Sequence, residues 1–185
     1  MIAVGDASLA LNCHPASACG AARALHVTVR ALEGWLNLTY TLDADVKQLR
    51  LPAEEAPVRA HELWTHTCFE AFLGETGSPA YCELNFAPSR AWAMYQFSAR
   101  RAGMRAVTGA RAPKITVRRD AAGLTLEARV LLHDLFPPCA PQRLRMGFAA
   151  VLEDEDGRLS YWASRHPPGK PDFHHPDHFA FELLL

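Results

Sequence analysis

The chain has 185 residues, of which 49% are hydrophobic and 21% are charged, a composition typical of a globular domain with a real core. Disordered and fibrous classes are therefore excluded, and no apolar run reaches the roughly 18 residues that a membrane helix needs. The formal net charge of −1 gives the chain no overall attraction to nucleic acid or to anionic membranes, so neither is predicted as a partner.

Apolar and polar residues begin to alternate with a period of two at residue 25. One run covers residues 25–29 and a second covers residues 36–42, with Glu33 and Gly34 between them. A period of two places alternate side chains on opposite faces of a strand, and a short polar segment with glycine favours a tight turn. The two runs therefore predict a β-hairpin with one buried face.

Similar runs follow along the rest of the chain, and evidence for helices is confined to residues 53–63 and 133–136. Strands are predicted at residues 69–73, 81–87, 91–99, 114–119, 124–131, 144–152, 159–163 and 179–184. This spacing is typical of an all-β sandwich of about ten strands with little helix. No linker or repeat divides the chain, so a single domain over residues 1–185 is predicted.

The cysteines and the first residues both favour a cytoplasmic protein. Five cysteines without CxxC spacing predict reduced, mostly buried thiols and no structural zinc site. These are Cys13, Cys19, Cys68, Cys82 and Cys139. Residues 1–11 contain Asp6 and no basic region, so a signal peptide is not predicted and the expected location is the cytoplasm.

Residues 63–100 combine aromatic, carboxylate and amide side chains on three predicted strands. If Phe69, Leu84 and their apolar neighbours face the core, the alternate positions form one polar and aromatic sheet face. The residues expected on this face are Trp64, Glu70, Tyr81, Glu83, Asn85, Trp92 and Gln96. Carboxylates and amides make hydrogen bonds to sugar hydroxyls, and aromatic rings cover the apolar side of a pyranose.

The same segment resembles the DOMON-like, family 9 carbohydrate-binding-module type of β-sandwich. The resemblance rests on Trp64, on the strand residues 70–73, and on the strand that ends in Asn85 and Pro88. Residues 161–177 are similar to a bacterial branch of that family. The resemblance implies a jelly-roll-like antiparallel β-sandwich whose members bind sugars or haem.

The resemblance also implies a binding site. In the sugar-binding members the ligand lies between tryptophans, beside acidic and amide side chains, a pattern that Trp64 and Glu70 match. Trp162 is placed as a second wall by its position near the C-terminus. The resulting hypothesis is a non-catalytic binding module for a carbohydrate or a sugar-containing metabolite, with no cofactor.

A histidine-rich stretch near the C-terminus leaves alternatives open. Residues 166–178 contain four histidines and several prolines, which favour a stiff loop that could shape the rim of a pocket. Arg165 and His166 are candidates for contact with an anionic group on the ligand. The histidines could instead hold a metal ion, pair with a methionine on haem, or serve an enzyme.

Three further features of the sequence bear on its function. A basic run over residues 100–119 is interpreted as a solvated edge rather than a nucleic-acid interface. The carboxylates of Glu70 and Glu83 leave glycoside chemistry open, although no common catalytic motif is present. An exposed aromatic face could also serve as a dimer interface, which leaves a homodimer open.

Overall fold

The computed structural model describes residues 7–18, 20–136 and 143–185. Its strands are β1 (Ala7–Cys13), β2 (Ala22–Leu32), β3 (Trp35–Ala44), β4 (Cys68–Glu75), β5 (Tyr81–Phe86), β6 (Trp92–Phe97), β7 (Arg105–Ala106), β8 (Lys114–Arg119), β9 (Gly123–Leu131), β10 (Arg143–Glu153), β11 (Leu159–Ala163) and β12 (Phe181–Leu184). The helices are α1 (Leu132–Leu135) and 3₁₀ turns at Val46–Gln48, Leu63–Thr65 and Pro176–His178. In these ranges no helix is long and apolar enough to cross a membrane. Cys19 and Cys139 lie outside the described residues.

The strands form two antiparallel layers that are joined through β1. The first layer has the order β7-β6-β5-β4-β10-β11, and β12 also pairs with β10. The second has the order β1-β2-β3-β9-β8. Within β1, Ala7–Leu11 pairs with β2, whereas Asn12 and Cys13 pair with β11. The prediction of an all-β, jelly-roll-like antiparallel sandwich is confirmed, with β1 and β7 in addition to the ten predicted strands.

The predicted hairpin is formed by β2 and β3. Its two turn residues, Glu33 and Gly34, have φ angles of 50° and 78°. Positive φ at both central positions is the geometry of a tight turn whose twist matches the flanking strands. The turn fixes the register at Leu32 opposite Trp35, and therefore directs one face of both strands into the core.

The core lies between the two layers and is built from alternate residues of the strands. Leu38 and Tyr40 of β3 contribute from the second layer, and Phe69 and Leu84 contribute from the first. The rings of Tyr40 and Phe69 lie 5.2 Å apart, and the Tyr40 hydroxyl donates a hydrogen bond to the Glu70 carbonyl oxygen at 2.7 Å. This contact ties the two layers together directly beneath Glu70.

The outer face of the first layer is covered rather than open to solvent. Phe72, Tyr81 and Phe97 on this face pack with Phe173 and Phe179 of the C-terminal segment, defined here as residues 164–180. As a result, all six residues of β5 are buried. The C-terminal segment is therefore part of the folded structure and forms one side of whatever site lies on this face.

A glycine allows the close approach of this segment to β10. A Cβ at Gly147 would lie 2.8 Å from the carbonyl oxygen of His178. His178 is fully buried against the sheet, where its Nδ1–H donates to the Arg165 carbonyl oxygen at 3.3 Å. Burial lowers the pKa of His178 to about 4, so the ring is neutral at pH 7.

The predicted orientation of β6 is wrong. Tyr95 pairs with Glu83, and Phe97 pairs with Tyr81, so these residues share the outer face. Trp92 and Gln96 lie on the other face: Trp92 joins the core, and the Gln96 amide donates to the Leu135 carbonyl oxygen at 3.2 Å. Both faces of β6 carry large apolar residues, so alternation alone could not determine which face points inward.

The placement of Trp162 as a second wall is also wrong. Trp162 is 5% exposed and belongs to the core, where its Nε1–H donates to the Ser160 hydroxyl at 3.1 Å. The preceding residue, Tyr161, points to the outer face because successive strand residues alternate. An aromatic wall is therefore present, and Tyr161 supplies it.

Candidate functional site

A cavity of about 360 Å³ lies on the outer face of the first layer. Glu70 of β4 and Glu83 of β5 form its floor, and aromatic side chains from distant parts of the chain form its walls. The lining residues are Trp64, Glu70, Glu83, Phe97, Arg101, Met104, Val151, Tyr161, Pro171, Phe173 and His174. The cavity therefore depends on the packing of the C-terminal segment over the sheet.

The two floor carboxyl groups are buried and differ in their partners. Glu70 and Glu83 are 3% and 4% exposed. The Asn85 amide donates to Glu83 Oε1 at 2.8 Å, and the Cys68 thiol donates to Asn85 Oδ1 at 3.6 Å. Among the described residues, Glu70 Oε1 has no hydrogen-bond partner. A buried acceptor without a partner is costly, and a bound donor would remove that cost.

Burial also changes the acidity of both groups. Loss of solvation and the neighbouring Glu83 carboxyl raise the pKa of Glu70 well above its usual range. Burial likewise raises the pKa of Glu83, although the Asn85 amide and the Arg101 charge partly oppose this. Both carboxyls are therefore hindered from ionising in the free protein, and a cation or a hydrogen-bond donor in the cavity would offset this effect.

A chain of hydrogen bonds orients His174 at the edge of the floor. The Arg101 backbone N–H donates to the Tyr81 hydroxyl at 3.3 Å, and the Tyr81 hydroxyl and His174 Nδ1 form a hydrogen bond of 2.7 Å. Burial and the Arg101 charge lower the pKa of His174 to about 4, so the ring is neutral at pH 7. His174 Nε2 lies 3.8 Å from Glu83 Oε2, too far for a direct hydrogen bond.

Asp172 anchors the C-terminal segment beside the cavity. Its carboxylate accepts hydrogen bonds from Arg100 and Arg101 at 2.5 and 2.9 Å, and from the backbone N–H of His174 at 3.1 Å. Burial raises the pKa of Asp172, but these donors outweigh that effect and hold it below its usual value. Asp172 is therefore a carboxylate at neutral pH, and it occupies the guanidinium groups at the rim.

The aromatic walls are held by contacts with other rings. Trp64, which follows a sharp turn at Glu62, packs edge-on against Tyr95 with ring centroids 5.8 Å apart. Across the cavity, Phe173 packs against Tyr161 at 6.2 Å. Each wall therefore combines a strand residue with a residue from a covering segment, and the rings are positioned before any ligand binds.

The structure brings together part of the predicted set. Trp64, Glu70 and Glu83 line the cavity, and Tyr81 and Asn85 contact its lining residues directly. Trp92 and Trp162 belong to the core instead, and Gln96 contacts Leu135 of α1.

Arg165 and His166 lie beyond the cavity lining. Arg165 is exposed, whereas His166 bonds to the Asn12 carbonyl oxygen at 2.8 Å and packs against His14. Cavity-lining residues that the sequence did not predict as binding residues include Arg101, Tyr161 and Phe173. Of these three, Phe173 had a usable signal, because it lies in the stretch expected to shape a pocket rim.

The structure also shows the surroundings of the residues considered for metal, haem or nucleic-acid binding. No group of three metal-ligating side chains is present in residues 7–18, 20–136 and 143–185. Of the three methionines that could pair with a histidine on haem, Met94 and Met146 are buried in the core, whereas Met104 is exposed and lines the cavity. In the basic run, Arg118 pairs with Glu127, and Arg119 donates to the Pro52 and Pro88 carbonyl oxygens.

Larger hollows lie elsewhere on the molecule. One of about 530 Å³ lies over β2, β3 and β9 and is lined by solvent-facing side chains such as Arg30 and Lys114. Others, of about 540 and 430 Å³, lie on either side of Gln96, near α1. A pair of buried carboxyl groups distinguishes the cavity at Glu70 from these, and we regard it as the candidate site.

Comparison with known proteins places this geometry in a wider context. No protein-family model matches the chain, and a search of curated proteins found no match. Among solved structures, a candidate carbohydrate-binding protein from Bacteroides uniformis superposes with a TM-score of 0.71 at 12% identity, covering 98% of this chain and 86% of that one.

A family 9 carbohydrate-binding module from Caldicellulosiruptor kristjanssonii, in complex with cellotriose, gives a TM-score of 0.57 at 12% identity and covers 95% of this chain and 82% of that one. The protein has the fold of a family 9 carbohydrate-binding module. A glucose complex of such a module from the same organism gives a TM-score of 0.51 at 12% identity, with 87% and 75% covered. The expected family 9-like sandwich is thus confirmed at the level of the fold.

Proposed function

We propose that this protein is a non-catalytic module that binds a carbohydrate or a sugar-containing metabolite in the cavity lined by Trp64, Glu70 and Glu83. The observation that carries the proposal is the buried carboxyl pair beneath aromatic walls, with Glu70 Oε1 unpartnered among the described residues. A sugar presents both surfaces that such a cavity needs: hydroxyl groups for the carboxyls and an apolar C–H face for the rings.

The size of the cavity favours a small ligand. Its volume of about 360 Å³ lies near the lower end of the roughly 300–1,000 Å³ of small-molecule sites. A monosaccharide or a disaccharide is therefore a better match than an extended polysaccharide. Such a ligand is also consistent with the predicted cytoplasmic location, which stays a prediction, as does a homodimer.

The structural neighbours support the class of ligand. Two of them are family 9 carbohydrate-binding modules in complex with cellotriose and with glucose. In this chain Glu70 lies on β4 and Glu83 on β5, so the floor of the site is built on strands, and Trp64 lies in the 3₁₀ turn just before β4. Rigid strands keep binding groups in position better than loops do.

The test is isothermal titration calorimetry with a panel of monosaccharides and disaccharides. We expect at least one to bind, and we expect Trp64→Ala to weaken that binding at least tenfold, because the wall is removed. Trp35→Ala is the matched control: Trp35 is a partly buried tryptophan of the other layer, with the Arg129 guanidinium 4.4 Å from its ring.

Two outcomes would count against the proposal. If no sugar in the panel binds, the module does not recognise free small sugars. If both tryptophan variants lose affinity equally, the loss comes from the fold rather than from the cavity. Melting temperatures of all three proteins, measured alongside, separate a local effect from unfolding.

A further inference from the structure

Among the described residues, no arginine or lysine side chain forms an ion pair with either carboxyl group of the cavity floor. Glu70 and Glu83 occupy diagonal positions on neighbouring strands, since Glu70 is opposite Asn85 and Glu83 is two residues before it. The Asn85 amide donates a hydrogen bond to Glu83 but carries no charge. Within the described ranges, Glu70 Oε1 has no hydrogen-bond partner. Two buried carboxyls without a bound cation repel each other and pay a large desolvation cost.

The cations nearest to the floor are already committed. Arg101 is the cationic side chain among the described lining residues, and its guanidinium binds Asp172 at 2.9 Å. Arg100 binds the same carboxylate at 2.5 Å. His174 shares a hydrogen bond with Tyr81 and is neutral at pH 7, so it supplies no charge.

The walls above the floor suit a cation as well as a sugar ring. Trp64, Phe97, Tyr161 and Phe173 all line the cavity. The faces of aromatic rings carry partial negative charge and attract a nearby ammonium group, most strongly where water is excluded. The floor and the walls therefore favour positive charge at the same place.

We propose that the ligand of this cavity carries a protonated amino group that binds between the carboxyls of Glu70 and Glu83, so that the site selects amino sugars over neutral sugars. This inference rests on the proposed function and specifies the class of sugar. An ammonium offers three donors, enough for both carboxyls at once, and charge-assisted hydrogen bonds are roughly twice as strong as neutral ones. A neutral hydroxyl can satisfy one oxygen but does not favour the ionised form of the pair as an ammonium does.

The experiment compares ligands that differ at one atom. Glucosamine, galactosamine and mannosamine are titrated by calorimetry at pH 7 against glucose, galactose and mannose, and against N-acetylglucosamine, whose nitrogen carries no charge. We expect at least one amino sugar to bind tenfold or more tightly than its neutral counterpart. We expect N-acetylglucosamine to behave as a neutral sugar.

A matched pair of variants tests the assignment to the floor. Glu70→Gln keeps the shape of the side chain and removes its charge, so the ratio of the two affinities is expected to fall close to one. Glu75→Gln removes an exposed carboxylate at the end of the same strand, and the ratio is expected to remain unchanged. Glu83→Gln provides a second measurement if Glu70→Gln does not fold.

The outcomes separate this inference from the proposed function. Binding of neutral sugars with equal or greater affinity overturns the selection of an amine and leaves the proposed function standing. A preference for amines that survives in both Glu70→Gln and Glu83→Gln also overturns it, because the charge then acts elsewhere. If no sugar of either kind binds, both the inference and the proposed function fail.

Discussion

Glu70 places a carboxyl group where water cannot solvate it. It is 3% exposed, lies directly above the Tyr40 hydroxyl contact that joins the layers, and faces the Glu83 carboxyl. A residue that served stability alone would be apolar at this position, since replacing buried charges by apolar groups is often neutral or stabilising. The ligand proposed above would account for the cost of retaining Glu70, and this cost should be visible in the stability of the free protein.

Replacing Glu70 by glutamine should stabilise the unliganded protein more at high pH than at low pH. Its pKa is raised in the folded state, so stability that is present below the unfolded pKa is lost as the pH rises through the folded pKa. Glutamine cannot ionise and does not suffer this loss. The gain should grow by up to about 1.4 kcal/mol per pH unit above about pH 4.5 and then level off.

Melting temperatures of the wild type and Glu70→Gln at pH 5 and pH 8 check this expectation. A difference of about 1 kcal/mol corresponds to roughly 2–4 °C for a chain of this size. Glu75→Gln, whose carboxylate is exposed, should give the same small difference at both pH values. Equal differences for Glu70→Gln at pH 5 and pH 8 would mean that its carboxyl is not penalised by burial.

At the scale of structural elements, the C-terminal segment contributes three residues to the cavity lining, although none of them lies on a strand. Pro171, Phe173 and His174 line the cavity, while Asp172 between them faces Arg100 and Arg101. The ion pairs of Asp172 therefore hold the segment at its centre, and the packing of His178 on β10 holds it further along. Loss of either attachment should loosen the wall before it affects the sandwich.

Replacing Asp172 by asparagine should loosen this segment locally. The carboxylate binds two guanidinium groups that are half exposed, so the loss is expected to be about 1 kcal/mol, as for surface ion pairs. Hydrogen–deuterium exchange of the His174 and His175 amides should accelerate several-fold, with no change in β4 or β10. Asp177→Asn is the control, because the Asp177 carboxylate is exposed and its Oδ2 lies 3.7 Å from His175 Nδ1, too far for a hydrogen bond. Unchanged exchange in Asp172→Asn would show that ring packing alone holds the segment.

The strands differ in how far the sequence could predict them. The hairpin of β2 and β3 was predictable because one face is apolar, the other is polar, and a glycine turn fixes the register. The order Trp92, Ala93, Met94, Tyr95 in β6 is apolar on both faces, so nothing local distinguishes inside from outside. The same ambiguity affects Tyr161 and Trp162.

The residues of the candidate site also differ in how far the sequence could predict them. The floor, with Glu70 and Glu83, followed from alternation within β4 and β5. The walls could not be derived in this way, because Tyr161 and Phe173 reach the cavity through tertiary packing of segments about 90 residues further along the chain. Pairing across such a distance leaves no periodic signal, and only the density of prolines and histidines in residues 166–178 indicated an ordered loop.

At the scale of the whole molecule, β1 pairs with a strand of each layer and so joins the two layers. Ala7–Leu11 pairs with β2 and Asn12 with Ala163 of β11, so unpairing β1 would separate the layers at that edge. Between the layers, a single core cluster contains residues of both, including Tyr40 and Phe69. Such coupling favours one cooperative unfolding transition, as the single-domain organisation proposed for residues 1–185 requires.

Unfolding in urea should therefore give the same midpoint by far-UV circular dichroism and by tryptophan fluorescence. The fluorescence can be resolved by layer, because Trp35 lies in the second layer and Trp162 in the first. Variants that retain only Trp35 or only Trp162 should give coincident curves once their stabilities are matched. Two separated transitions would instead mean that the layers unfold independently and that the chain is not one folding unit.

The division of the cavity between strands and the C-terminal segment has a consequence for how this protein could change. The floor is embedded in strands whose other faces make the core, so substitutions there put the whole sandwich at risk. Pro171, Phe173 and His174 lie on the periphery and line the cavity without forming part of either layer, whereas Asp172 between them anchors the segment. Exchanging these three lining positions would therefore reshape the proposed binding site on an unaltered scaffold, in nature or by directed evolution.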